Sequence, residues 1–254
     1  MQLIMRFISA FENIVTFIVY VSARHKFDKS RYRFNFTEVW FSPWIKDKEF
    51  NAIYAKVAEN TLISKRKLYD LFLVGRQVRY VPGDILEIGS WRGGSAALLA
   101  SVLPEKNIGL WDNWGSLVNK DSYFIEKEYS SSDDLAKAKM LLAQVIPEAE
   151  KRCSFIERVF PGDIAEGDLA PCFSLIHFDV YDDQAFVDGA EMLWARLSTG
   201  GVFMVGGYGA ISLDQLTIKV DEFVCKHDCF FIQAQSGIGL LIKRGASPKW
   251  MGKK

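Results

Sequence analysis

The sequence has no surplus of either charge: over 254 residues, lysine plus arginine and aspartate plus glutamate both number 31. A general nucleic-acid binder normally carries a basic surplus, so this balance sets that class aside in favour of a small-molecule protein. Cysteine is scarce as well. Cys153, Cys172, Cys225 and Cys229 are scattered and form no CxxC pair. Cys225 and Cys229 fall four apart on an expected helix, with His227 between them, and read as thiols of a reducing cytosol rather than metal ligands. A long uncharged apolar run is missing too. Arg6 and Glu12 interrupt the apolar stretch from Met1 to Ala23 and leave only Asn13–Ala23, short of the roughly 20 residues that span a bilayer. No basic residue precedes the first apolar run, so a signal peptide fits poorly.

The N-terminus is better described as an amphipathic helix presenting Phe7, Phe11, Ile14, Ile18 and Val21. That face is expected to bury against the body or a second subunit, which favours a homo-oligomer. The basic cluster that follows (Arg24, His25, Lys26, Lys29, Arg31, Arg33) keeps a peripheral membrane contact through residues 1–33 as the alternative. The expected location is cytoplasmic, with or without that surface contact. Residues 1–80 are assigned to a helical arm, including helical spacing over Glu49–Glu59 and Ser64–Tyr80, and residues 81–254 to a ligand-binding domain.

From Val81-Pro82-Gly83 onward, strand and helix alternate. Strands are expected at Asp84–Ile88, Asn107–Trp111, Ser154–Phe160, Phe173–Asp179, Val202–Val205, Phe230–Gln233 and Ile238–Lys243. Helices are expected at Ser95–Val102, Asp133–Val145, Ala185–Arg196 and Leu213–Lys226, with Ser131-Ser132-Asp133-Asp134 as a cap and Ser198-Thr199-Gly200-Gly201 as a stop. Ala234-Gln235-Ser236-Gly237 is too short for a crossover helix, so the last two strands are antiparallel. The fold class is α/β: a doubly wound, seven-stranded, mostly parallel and Rossmann-like sheet ending in an antiparallel hairpin.

In such sheets ligands bind at the carboxyl ends of the strands, beside the switch in strand order. The first strand runs into Gly89-Ser90-Trp91-Arg92-Gly93-Gly94-Ser95, a turn short of bulky Cβ atoms that opens a helix. It matches neither the G-x-G-x-x-G dinucleotide pattern nor a P-loop. Glu87 and Asp112 close the first and second strands, and Asp112 is placed to accept hydrogen bonds from a ribose. Asn113 adjoins it, and Trp111 and Trp114 flank it as walls for a nucleoside. After the third strand, Asp163 is the candidate for an adenine amino group and Ile164 for the ring. Asp179 ends the fourth strand as a candidate general base or metal ligand. His177 reads as a core histidine, and Asp182 and Asp183 as helix-capping carboxylates.

The set VPGDILEIGSWRGGSAALLA, GLWDNWGSL, LIHFDV, ARLSTGG and VDEF, together with Phe41-Ser42-Pro43-Trp44, resembles the macrocin O-methyltransferase family of class I enzymes over roughly Phe41 to Lys243. The resemblance implies S-adenosylmethionine over Gly89–Ser95 with its ribose on Asp112, and a hydroxyl acceptor on a sugar of a natural product or glycan. It also implies magnesium on an aspartate after the fourth strand and on an Asp-Asp pair after the fifth, followed by Tyr-Gly. Here Asp179 is kept, its companion two residues on is Tyr181, and the Asp-Asp pair is Gly206-Gly207 before the retained Tyr208-Gly209. No metal residues are therefore assigned and magnesium is in doubt. Asp179 is the expected base, and Tyr208 is expected to line the acceptor pocket. The alternative is a non-catalytic cofactor-binding or regulatory protein on the same fold.

Overall fold

A computed structural model describes residues 43–114, 133–162 and 169–245. The expectations placed on residues 1–42, and on Asp163 and Ile164, lie outside the described residues. The helices are α1 Lys48–Val57, α2 Lys65–Gln77, α3 Gly94–Val102, α4 Asp134–Val145, α5 Ala149–Arg152, α6 Asp183–Arg196 and α7 Asp214–Lys226. The strands are β1 Asp84–Ile88, β2 Ile108–Asp112, β3 Cys153–Glu157, β4 Phe173–Phe178, β5 Leu197–Gly206, β6 Cys229–Ala234 and β7 Ile238–Lys243. They form one sheet in the order β3-β2-β1-β4-β5-β7-β6, with β1 to β5 parallel and β7 antiparallel to both β5 and β6. The order reverses between β1 and β4, which puts a crevice at their C-terminal ends, where a doubly wound sheet takes its ligand.

Burial follows from the strand sequences. β4, FSLIHF, is buried at every position, as a central parallel strand covered on both faces must be. One face carries an aromatic chain running from Trp111 through Phe160, Phe178 and Phe186 to Phe223, each ring meeting the next edge to face. On the other face α3, GSAALLASV, is small enough to be buried almost all round. Its closeness to α2 is tight: a Cβ at Gly75 would lie 3.3 Å from Val102 Cγ1.

The chain divides at Lys48/Glu49, not at residue 80. Residues 49–80 belong with the sheet because Phe50, Leu68, Leu71 and Phe72 are wholly buried. Phe50, Tyr69 and Phe72 also interlock as one aromatic cluster. Two local expectations change as well. β5 starts at Leu197 and runs through Ser198–Gly201, where its register against β4 jumps from Phe173↔Leu197 to Leu175↔Val202. Cys225 and Cys229 do not share a helix, since α7 ends at Lys226 and Cys229 opens β6. Asp182 caps α6 as expected, accepting from the Ala185 amide at 2.9 Å. No helix among the described residues is long and apolar enough to cross a membrane.

Candidate active site

The turn after β1 is built from left-handed backbone, with positive φ at Gly89, Trp91 and Gly93. Protein atoms crowd these glycines. A Cβ at Gly89 would lie 2.8 Å from the Asp179 carbonyl oxygen, one at Gly93 3.3 Å from Ala138 Cβ, and one at Gly94 2.5 Å from the Asn60 carbonyl oxygen. The glycines therefore let β4, α4 and the Asn60–Thr61 segment close on the turn. Ser90 and Ser95 are buried beneath it, and Ser90 Oγ donates to the Glu87 carbonyl at 3.4 Å.

Asp112 organises the crevice. One carboxylate oxygen accepts from the Trp91 amide at 2.7 Å and the other from the Trp114 amide at 2.9 Å. The Trp114 indole in turn donates to the Trp91 carbonyl at 2.7 Å. A carboxylate held by two backbone amides is oriented in advance, and its remaining lone pairs can take a diol. Asn113, between these anchors, is part-exposed. Trp111 does not wall the site: it is buried, and its indole donates to the Arg158 carbonyl. Arg92 and Asp134 hold the turn from the side and were not singled out from sequence. Arg92 Nε reaches Asp134 Oδ1 at 2.7 Å, and its guanidinium lies 4.2 Å from the Trp91 ring. Asp134, buried, does this instead of merely opening a helix.

Beneath the turn, Glu87 and His177 are paired across β1 and β4 in register. His177 Nδ1 and Glu87 Oε1 are 2.8 Å apart, and both side chains are buried. Burial lowers the His177 pKa, but the Glu87 hydrogen bond and the charges of Asp179 and Glu87 outweigh it and leave a net rise, with Lys67 opposing. His177 is thus a core histidine, as its sequence position suggested. Glu87 Oε2 is buried with no hydrogen-bond partner. That orphaned oxygen near the end of β1, with the Asp112 carboxylate at the end of the neighbouring β2, fits a ligand with both a cationic group and a ribose.

The C-terminal ends of β4 and β5 pack around Asp179. A Cβ at Gly206 would coincide with Asp179 Oδ1, so the Asp179 carboxylate occupies the space that a side chain at residue 206 would need. A Cβ at Gly207 would lie 3.1 Å from Tyr181 Cδ1 and 2.5 Å from Leu213 Cδ1. The Tyr181 ring thus covers the second glycine. Its hydroxyl bonds Asp179, whose charge, with burial and that bond, drives the phenol pKa well up. Asp179 Oδ1 keeps no partner. The residues here do not fit a divalent cation: 206 and 207 offer no side-chain oxygen, and Asp179 and Tyr181 fill their place. Among the described residues no three His, Cys, Asp or Glu side chains cluster as metal ligands would.

Tyr208 takes a different part from the one expected of it. It is buried in the core against Phe231, with its hydroxyl donated to Asp221 of α7 at 2.6 Å. Burial, that bond and the Asp221 charge raise its pKa strongly. Its hydroxyl serves the packing of α7.

Residues 45–148 match the macrocin O-methyltransferase (TylF) family. A curated relative, the 8-demethyl-8-(2,3-dimethoxy-alpha-L-rhamnosyl)-tetracenomycin-C 4'-O-methyltransferase of Streptomyces olivaceus, is 27% identical over 140 residues, covering 50% of this chain. The chain spans about half the length of that relative, 54%. The O-methyltransferase NovP superposes with a TM-score of 0.56 at 16% identity, covering 73% of this chain and 83% of its own. CalS11, a TDP-rhamnose 3'-O-methyltransferase of calicheamicin biosynthesis, does so with 0.54 at 15% identity, covering 85% and 99%. The sequence likeness to the macrocin O-methyltransferase family is thus confined to residues 45–148, and the fold is shared with O-methyltransferases of known structure.

Proposed function

We propose that this protein is an S-adenosylmethionine-dependent O-methyltransferase acting on a sugar hydroxyl of a small molecule or glycan, without the family's magnesium site. The observation that carries this reading is Asp179: a carboxylate at the switch point with one buried oxygen unpartnered, beside a turn fixed by Asp112. When bound, S-adenosylmethionine supplies a methyl group activated on a sulfonium. Asp112 would hold its ribose, Glu87 its cationic end, and the Gly89–Ser95 backbone at the start of α3 its amino-acid part.

The chain's own chemistry is positioning and proton removal. Trp91, Arg92 and Asp134 keep the turn rigid, so that bound donor and acceptor meet in one orientation. That term alone lowers barriers by up to about 7–11 kcal/mol in well-aligned systems. The Asp179 carboxylate takes the proton from the acceptor hydroxyl, a role worth about 10²–10⁴ in rate. The bond from Tyr181 orients the carboxylate and leaves Oδ1 without a hydrogen-bond partner.

The test is calorimetry with S-adenosylmethionine on wild type and Asp112→Ala, followed by transfer of a labelled methyl group to methyl α-L-rhamnoside. Micromolar binding that Asp112→Ala weakens, with label in the sugar, supports the reading. Binding without transfer to any hydroxylated acceptor favours a cofactor-binding regulatory protein, and no binding at all overturns both.

A further inference from the structure

The first turn of α2 reads Lys65-Arg66-Lys67 with no acidic residue, the reverse of what a helix N-terminus favours. Two of these cations have local work. Lys65 Nζ donates to Asn51 Oδ1 at 2.9 Å and lies 4.3 Å from the Tyr54 ring centroid, and Arg66 faces Asp70. Lys67 is different. Its stem lies along the β6–β7 turn, with Cε 3.9 Å from where a Cβ on Gly237 would stand. Its ammonium lies 5.9 Å from the centroid of the Tyr181 ring, which packs on Gly207 with its hydroxyl on Asp179. Among the described residues, no carboxylate forms an ion pair with Lys67.

A part-buried lysine whose ammonium pairs with no described carboxylate, and lies by the ring whose hydroxyl bonds the candidate base, is a local rule broken at a functional site. We propose that Lys67 is the acceptor-side cation of this enzyme, binding an anionic oxygen of the acceptor, phosphate-like or carboxylate, above the Tyr181 ring. This rests on the methyltransferase reading for the identity of the acceptor, and on the Lys67–Tyr181–Asp179 geometry alone for the anion. Asp179 repels an anionic acceptor, and the residues that replace the family's metal pair add no positive charge. Lys67 supplies that charge, so it favours acceptors that carry an anionic group over neutral ones.

The experiment titrates inorganic phosphate, and separately sodium acetate, into the full chain saturated with S-adenosylhomocysteine, for wild type, Lys67→Met, Lys67→Gln and Lys67→Arg. S-adenosylhomocysteine affinity and thermal melting are read on the same samples. The expected result is one millimolar anion site in wild type, weakened by roughly tenfold to a hundredfold in Lys67→Met and Lys67→Gln, in line with loss of one charge-assisted bond. Lys67→Arg retains it in part, and all four proteins bind S-adenosylhomocysteine alike. Phosphate binding with no acetate binding assigns a phosphate-type anion, and equal binding assigns any small oxyanion. No anion site in wild type, or equal affinity in the Lys67 variants, overturns the proposal. Failure of all four proteins to bind S-adenosylhomocysteine strikes the methyltransferase reading instead, and the anion titration still decides Lys67.

Discussion

Alanine at Gly206 should destabilise the protein, and only because Asp179 is there. The Gly206 backbone is not left-handed, so an alanine there meets no conformational penalty. The added Cβ would coincide with Asp179 Oδ1 and lie 3.0 Å from Asp179 Cγ. The carboxylate must therefore swing out of its place, which overpacking data put at about 1–3 kcal/mol. In an Asp179→Ala background the obstruction is gone. There Gly206→Ala should be neutral, or stabilising by about 0.4–1 kcal/mol through the unfolded chain. Urea unfolding of the four proteins closes a double-mutant cycle with an expected coupling of about 1.5–3 kcal/mol and unchanged denaturant slopes. Equal effects of Gly206→Ala in both backgrounds would refute the claim that Asp179 fills the space a side chain at residue 206 would need.

Other outcomes follow from the same geometry. Asp112→Ala removes the acceptor of both the Trp91 and Trp114 amides and is expected to weaken S-adenosylmethionine by at least about tenfold in calorimetry. Asp134→Ala strips Arg92 of its buried partner and should cost about 1–3 kcal/mol in urea unfolding, with a weaker donor Kd. His177 has a folded pKa raised above 6.5, so its stabilising contribution is complete below about pH 6.5 and is lost as pH rises through the raised value. Unfolding free energy measured between pH 6 and 9 should therefore fall in wild type, and this component of the slope should vanish in His177→Gln.

Much of the scaffold was legible because it rests on local pattern. β1 and β7 fall at Asp84–Ile88 and Ile238–Lys243 as expected, their apolar runs being bounded by Gly83, Gly89 and Gly237. Sequence alone makes β5 too short because Ser198–Gly201 has the composition of a turn, and only pairing with β4 extends the strand across it. In the site, Asp112 was legible from its place at a strand end. Its partners were not, since backbone amides of Trp91 and Trp114 leave no residue signature. The glycines of the turn were legible as a need for room, but sequence cannot tell ligand from protein, and Asn60 and Ala138 supply neighbours from distant segments. Tyr208 shows the same limit: its Tyr-Gly context pointed to the acceptor, and its hydroxyl went to Asp221. Lys67 could be noticed as a basic residue in an acid-free first turn, yet its approach to Tyr181 exists only once the start of α2 meets the β6–β7 turn.

The central claim is that Asp179, with no divalent ion beside it, takes the acceptor proton. The direct measurement is labelled methyl transfer from S-adenosylmethionine to methyl α-L-rhamnoside in excess EDTA, by wild type and Asp179→Asn at equal donor occupancy. The account predicts that wild type keeps its rate in EDTA while Asp179→Asn loses about 10²-fold or more. Transfer that stops in EDTA and returns with Mg²⁺, or that survives Asp179→Asn intact, would contradict it.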